Sequence, residues 1–129
     1  MDYLFGDKKR STLNRGNIAY SVFISPTFSR IGLSEVEAKA AGYEVIVTKL
    51  LTAAVPKANV LKKPEGLLKA IIDKKTERIL GCVLLCEHSE ELINLVTLVM
   101  NNDLSYKVLK NQIFTHPTMA EALNDLFDL

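Results

Sequence analysis

The sequence is short of several features that would place it in a specialised class of protein. Its 129 residues contain no apolar run long enough to cross a membrane, and its 16 basic residues balance 15 acidic ones. A net charge of +1 gives no electrostatic reason to expect nucleic acid or a membrane surface as a partner. Residues 1–15 are charged and lack the apolar stretch of a signal peptide. We therefore expect a cytoplasmic globular domain with no nucleic-acid or membrane partner.

Cysteine is also scarce, and its spacing argues against a disulfide. The two cysteines, Cys82 and Cys86, lie in an apolar run at 79–86 that is typical of a strand. Residues four apart on a strand face the same way but are about 13 Å apart, too far for a disulfide. His88 follows closely, yet a structural zinc site needs four converging ligands and no second pair stands nearby. The spacing predicts buried free thiols and an ordinary polar histidine at a turn, with a metal-binding domain as the alternative.

Hydrophobic periodicity and turn signals predict a mixed fold. Strands are predicted at 19–24, 43–51, 67–72 and 79–86, loops at 25–33 and 53–63, and helices at 34–42, from 89, at 105–112 and after Pro117. Ser34 and Glu37 fit a helix-capping box. The short connection between the last two strands favours an antiparallel pair. We therefore expect an α+β fold with an antiparallel sheet and helices packed on one side.

Two apolar stripes leave core and dimer interface equally open. One stripe is on the helix that begins at 89 and the other is in the tail: Leu92, Ile93, Val96, Val99 and Met100, then Met119, Ala122, Leu123 and Leu126. A helix that is apolar on nearly every side is either buried in the core or half of a contact between subunits.

The most chemically suggestive segment is residues 114–121, which read FTHPTMAE. Histidine is the side chain whose ordinary pKa lies closest to physiological pH, and a carboxylate such as Glu121 can hold an imidazole in one orientation for acid–base chemistry. Thr118 and Glu121 also fit a T-x-x-E capping box, which would leave His116 as a plain surface residue. Both roles need the same carboxylate, and the residues alone leave them in competition.

Three further stretches occur at a regular spacing before this segment. They are FISP at 23–26 with IGLSE at 31–35, Gly66, Lys69, Asp73 and Thr76 with ILG at 79–81, and Glu91 with Ile93. Together with His116-Pro117-Thr118 and Glu121, they resemble the C-terminal interface (dimerisation) domain of the FAD-dependent pyridine nucleotide–disulfide oxidoreductases. That family includes glutathione reductase, dihydrolipoamide dehydrogenase and mercuric reductase. The resemblance spans 17–127, and 113–127 is most similar to a mercuric-reductase-like branch linked to bacterial reactive-chlorine resistance.

The resemblance implies a homodimeric oxidoreductase that uses FAD and NAD(P)H and acts on a small-molecule or disulfide substrate. In the family, the histidine of the H-P-T motif serves the redox thiols in the other subunit's active site. This implies the same acid–base role for His116, with Glu121 fixing its ring. It also implies that the backbone of Thr115, His116 and Pro117 lies near the partner subunit's flavin, with Pro117 matching a cis-proline of the family.

The sequence lacks other parts of such an enzyme. It has no G-x-G-x-x-G turn for a dinucleotide, no C-x4-C redox pair, and no terminal cysteine pair of the kind found in mercuric reductases. We therefore expect a fragment, with 1–16 a linker from missing nucleotide-binding domains and 17–129 the dimerisation domain. Alone, this domain is expected to be inactive and to bind no cofactor. The alternative is a free-standing homodimerising interaction module without catalytic activity.

Overall fold

The computed structural model describes residues 16–129, so the predicted linker lies outside the described residues except for Gly16. The strands are β1 (Tyr20–Val22), β2 (Phe28–Gly32), β3 (Val45–Leu51), β4 (Leu67–Asp73) and β5 (Ile79–Leu85). The helices are α1 (Glu35–Ala40), α2 (Pro56–Val60), α3 (Ser89–Asn101), α4 (Lys107–Asn111) and α5 (Ala122–Leu126). Single 3-10 turns, Thr52–Ala54 and Met119–Glu121, come before α2 and α5. Among the described residues, no helix is long and apolar enough to cross a membrane.

The five strands form one antiparallel sheet in the order β1-β2-β5-β4-β3. The predicted pair β4 and β5 lies at its centre, with Leu68 opposite Leu84 and Ala70 opposite Cys82. These residues point to the same face because side chains alternate along a strand, and all four are fully buried. The predicted α+β fold with an antiparallel sheet is confirmed.

The main core lies between this face of the sheet and the helices α3 and α5. Eight of the nine residues of the two predicted apolar stripes are buried in it, and Met100 is half-buried against it. Phe127 is fully buried and its ring stacks on Tyr106 at a centroid distance of 6.4 Å. Each such side chain contributes roughly 1.5–3 kcal/mol by its burial. The stripes are therefore core, which settles the alternative left open by their periodicity.

Helix α1 is set apart from the other helices, because it packs on the opposite face of the sheet. Its Glu35 and Glu37 pair with Lys69 of β4 and Arg30 of β2. Both basic residues alternate with core-facing neighbours, so their side chains point away from the main core. The predicted capping box from Ser34 to Glu37 is present at the start of this helix.

Two loop predictions were wrong. The segment predicted as a loop at 25–33 contains β2, whose alternation was hidden because its inward positions are Ser29 and Ile31 rather than two apolar residues. The segment 53–63 contains α2, which begins at Pro56, a residue suited to the first helical position because it needs no backbone donor there.

The predicted state of the cysteines is confirmed, since both are free and buried. Burial, followed by the nearby charges of Glu90 and Glu87, raises the pKa of the Cys86 thiol to about 12. Burial raises the pKa of Cys82 further still. His88 is exposed at the turn before α3, with a φ of +64°. Within the described part of the chain, no three His, Cys, Asp or Glu side chains are grouped to hold a metal ion.

Candidate acid–base site at His116

The structure brings His116 and Glu121 into direct contact. The Nδ1 atom of His116 lies 2.9 Å from Oε1 and 3.0 Å from Oε2 of Glu121. The His116 side chain is 69% exposed, whereas the Glu121 side chain is 28% exposed. A carboxylate accepts hydrogen bonds, so Nδ1 carries the hydrogen and Nε2 of the neutral ring is left as the proton acceptor. Nε2 has no hydrogen-bond partner among the described residues.

A compact turn holds the two residues at this distance. The Thr118 backbone N–H donates to Glu121 Oε1 at 2.9 Å, and the Thr118 hydroxyl donates to the Thr115 carbonyl oxygen at 2.7 Å. The His116–Pro117 peptide bond is cis. Thr118 and Glu121 form the predicted capping box at the start of the 3-10 turn Met119–Glu121. Both contacts that the sequence left open for Glu121 are present, because one carboxylate accepts from His116 Nδ1 and from Thr118 N–H at once.

The charge state of Glu121 follows from these contacts. The Thr118 N–H bond and, after it, the hydrogen bond to His116 hold the pKa of Glu121 below its ordinary value, against a smaller opposing effect of burial. The carboxylate is therefore ionised at neutral pH. It presents a fixed negative acceptor to Nδ1, which favours one ring orientation.

Helix α5 anchors this turn to the core from its C-terminal side. Asn124 of α5 donates to the carbonyl oxygens of Leu109, Lys110 and Gln112 at 2.9, 3.2 and 2.8 Å. These carbonyls lie at the end of α4 and just beyond it, so Asn124 fixes the start of the segment that leads to His116. Sequence reasoning missed Asn124, because nothing local indicates that a single amide serves three carbonyls 12 to 15 residues earlier.

The predicted site residues lie together on one exposed turn. Thr115, His116 and Pro117 are exposed, and Glu121 is half-buried behind them. Cys82 and Cys86 are buried in the core, so neither is presented to the imidazole. The arrangement can exchange a proton at Nε2 with a group brought to it from outside the described residues. Any thiol that it serves must come from elsewhere.

Comparison with known proteins identifies the family. The family described as "Pyridine nucleotide-disulphide oxidoreductase, dimerisation domain" matches residues 18–127. The chain belongs to this family. It is 51% identical over 128 residues, 99% of this chain, to the Escherichia coli K12 protein named "Probable pyridine nucleotide-disulfide oxidoreductase RclA". It is also 36% identical over 107 residues to the dihydrolipoyl dehydrogenase of Mycobacterium tuberculosis H37Rv, with 83% of this chain covered.

A solved structure of the E. coli relative supports the same assignment. This structure, described as an HOCl-induced flavoprotein disulfide reductase, matches 99% of the chain with a TM-score of 0.93. The resemblance to the reactive-chlorine branch of the family is thus confirmed. The chain spans 29% of the length of RclA and 23% of that of the dihydrolipoyl dehydrogenase. Its relatives are therefore enzymes more than three times its length.

Proposed function

We propose that this chain is the dimerisation domain of a homodimeric disulfide oxidoreductase that uses FAD and NAD(P)H. In this proposal His116, oriented by Glu121, is the acid–base residue for the active site of the partner subunit. Family membership supports the dimerisation role. The observation that carries the acid–base role is an imidazole whose side chain is 69% exposed and which Glu121, itself half-buried, holds through Nδ1 alone.

The proposed chemistry is the movement of one proton at Nε2. The imidazole takes the proton from a redox thiol, and the resulting thiolate attacks one sulfur of a disulfide. The new S–S bond forms as the old one breaks, and the displaced thiolate receives the proton back from Nε2. Glu121 stabilises the charged ring between these two steps. A flavin, when bound, supplies the transfer of electrons between a nicotinamide and the thiols.

This chain's own residues indicate that the cofactors would be held elsewhere. The sequence has no G-x-G-x-x-G turn, and the glycines that it does contain are never two apart. FAD and NAD(P)H would thus bind to regions beyond this chain. The proposed contribution of Thr115, His116 and Pro117 is a rigid, exposed stretch of backbone that lies near the partner subunit's flavin. The electron acceptor would be a small molecule or a disulfide.

The two histidines of the chain provide a matched test. In the full-length flavoenzyme that carries this domain, His116→Asn should lower thiol–disulfide turnover by about 10²–10⁴-fold, the usual contribution of general acid–base catalysis. His88→Asn changes the other exposed histidine, and asparagine tolerates its positive φ, so turnover should stay within about twofold of the parent. Flavin absorbance should be unchanged in both variants, because in this proposal His116 lies near the flavin through its backbone, which the substitution keeps, and His88 lies outside the site.

A variant of the carboxylate separates its two contacts. In Glu121→Gln the amide oxygen can still accept from Thr118 N–H, but the negative charge behind the ring is lost. Turnover should fall by less than in His116→Asn. If His116→Asn retains full turnover with its flavin bound, the acid–base role is refuted and dimerisation alone is left to the domain.

A further inference from the structure

Helix α4 ends without the glycine that commonly closes a helix. The chain leaves it at Gln112, whose φ of −64° and ψ of 132° are those of extended backbone. The last carbonyl groups of a helix have no partner within it and must be satisfied from outside. The carbonyls of Leu109 and Lys110 are in this position, and no backbone N–H from outside the helix reaches them among the described residues.

A side chain of α5 takes the place of such a cap. The amide nitrogen of Asn124 lies 2.9 Å from the carbonyl oxygen of Leu109, 3.2 Å from that of Lys110 and 2.8 Å from that of Gln112. Carbonyl oxygens only accept, so the end of the amide that faces them is the NH₂ group, and its two hydrogens are shared among three acceptors. The shortest contact is to Gln112, the first residue beyond α4. Asn124 thus holds the point at which the chain leaves the helix.

The stretch from Gln112 to the imidazole has little else to hold it. No backbone group of residues 113–117 forms a backbone–backbone hydrogen bond within the described part of the chain. Ile113 is 91% exposed, and of these five residues it is Phe114 that packs partly against the core. The position of this stretch therefore depends mainly on what fixes its two ends.

Both ends are attached to the same helical segment. Glu121 holds the far end, because it accepts from Thr118 N–H and from His116. Asn124, three residues after Glu121, holds the near end. The 3-10 turn that contains Glu121 runs directly into α5, and the inward residues of this combined segment are buried: Met119, Ala122, Leu123 and Leu126. Residues 112–118 therefore form a loop that is fixed at both ends to one segment packed in the core.

We propose that Asn124 is a positioning residue for the acid–base chemistry of His116, because its hold on the Gln112 carbonyl sets where the loop 112–118 places the imidazole. The inference rests on the proposed function and deepens it by naming a residue that acts through His116. Asn124 itself makes its hydrogen bonds to carbonyls of residues 109–112 and not to the imidazole. A displacement of a reacting group by about 1 Å can cost on the order of 100-fold in rate. Releasing the near end of the loop should therefore lower turnover.

The competing explanation is that Asn124 only joins α4 to the last segment of the chain. Lys110 provides the matched comparison, because its ammonium group lies 3.2 Å from a carboxylate oxygen of Asp128 and so joins the same two parts of the fold. This ion pair does not involve the Gln112 carbonyl. A variant of Lys110 therefore weakens the connection between α4 and the tail without releasing the loop.

The test compares variants of the full-length flavoenzyme that carries this domain, with thiol–disulfide turnover expressed per bound flavin so that unfolded protein does not count. Asn124→Ala should lower kcat by about 10- to 100-fold and leave KM for the nicotinamide within about twofold of the parent. Asn124→Ser should lose less, because its hydroxyl keeps one hydrogen to donate. Lys110→Met, the matched control, should keep kcat within about twofold of the parent.

The decisive measurement repeats Asn124→Ala in the His116→Asn background. No imidazole is left to position there, so the residual turnover should change by less than about twofold. A residue that supports only the fold would lower turnover by the same factor in both backgrounds, and that result would overturn the inference. Parent-like turnover of Asn124→Ala would overturn it too, as would an equally large loss in Lys110→Met.

A variant that folds poorly still leads to a decision. If Asn124→Ala does not load flavin, Asn124→Ser is measured in the same two backgrounds, with a loss of at least about threefold expected in the parent and none in His116→Asn. If neither variant loads flavin, Asn124 serves the fold and the positioning role is overturned. Failure of the proposed function is seen separately, because His116→Asn would then retain full turnover by itself.

Discussion

Removing two serines from the buried hydroxyl chain between β1, β2 and α3 should destabilise the fold by less than the sum of the two single removals. Ser21 Oγ lies 2.7 Å from Ser29 Oγ, which lies 2.9 Å from Ser89 Oγ, and Ser89 donates to the Thr27 carbonyl at 2.8 Å. A hydroxyl has one hydrogen to donate. Because Ser89 gives its hydrogen to Thr27, Ser29 must donate to Ser89, and Ser21 must donate to Ser29. The hydrogen bonds therefore run in one direction.

The magnitudes follow from what each substitution leaves unsatisfied. Ser29 and Ser89 are fully buried. Ser89→Ala removes the acceptor of the Ser29 hydroxyl, which must then turn to donate to Ser21 Oγ. The loss of the Ser29–Ser89 and Ser89–Thr27 hydrogen bonds should cost about 1–3 kcal/mol. The Thr27 carbonyl is not stranded, because it also accepts from the Cys86 N–H at 3.1 Å. Ser29→Ala leaves an empty acceptor on Ser89 and should cost about 1–2 kcal/mol.

The double variant distinguishes a connected chain from independent bonds. Both single changes break the same Ser29–Ser89 hydrogen bond, so the loss of stability in the double variant should be about 1 kcal/mol smaller than the sum of the two single losses. Urea unfolding followed by circular dichroism measures all four proteins. Ser21→Ala is the control, since Ser21 is half-buried and should cost under about 0.5 kcal/mol. Single losses that add to the double loss within about 0.3 kcal/mol would refute the directed chain.

Two other predictions concern the thiols and a glycine. The pKa of a cysteine thiol in the unfolded chain is near 9.0, whereas burial raises the pKa of Cys86 to about 12 and raises that of Cys82 as well. The free energy of unfolding should therefore fall as pH rises above about 9. Each thiol should lower the free energy of unfolding by about 1.4 kcal/mol per pH unit in this range. Cys86→Ala should therefore make the fall shallower by about 1.4 kcal/mol per pH unit, measured by urea unfolding at about pH 9 to 11. Gly66→Ala should cost at least about 2 kcal/mol in the same assay, because φ is +121° and a Cβ would collide with the Leu85 carbonyl oxygen. Gly42→Ala is the control: φ is +91°, but no atom lies within 4 Å of the added Cβ, so the loss should be about 1 kcal/mol. Equal losses of stability in the two variants would show that the structure relieves the collision at Gly66.

Elements whose signals are local could be predicted from the sequence. The helix α1 begins at Ser34 because Ser34 and Glu37 cap it within one turn, and both residues are visible in the sequence. The pair β4 and β5 follows from two apolar runs with a short polar connection. Strand β2 could not be predicted in this way. Its inward Ser29 is satisfied by Ser21 and Ser89, which are 8 and 60 residues away, so the hydrophobic alternation that would mark the strand is missing.

The candidate site likewise has one feature that the sequence predicts and one that it does not. The contact between His116 and Glu121 follows from a spacing of five residues and a known motif, and the structure brings the two side chains together. The exposed apolar surface of α3 could not be predicted. The sequence of this helix is apolar on nearly every side, and only the tertiary packing separates Val96, which is buried in the core, from Leu98, which is 61% exposed. Periodicity indicates that a helix face is apolar but does not say whether this chain or another one covers it.

The double use of Glu121 links the orientation of the imidazole to the start of the last helical segment. Oε1 accepts from both Thr118 N–H and His116 Nδ1, so the carboxylate cannot follow a rotation of the ring without giving up the backbone bond. Asn124 holds the other end of the segment against α4. An exposed side chain would ordinarily sample several rotamers, and ordering it at the moment of reaction would slow the chemistry. Here the ordering has been completed on folding. The two contacts that competed for one carboxylate in the sequence thus act together: the bond to Thr118 fixes the carboxylate, and the fixed carboxylate holds the imidazole in one orientation.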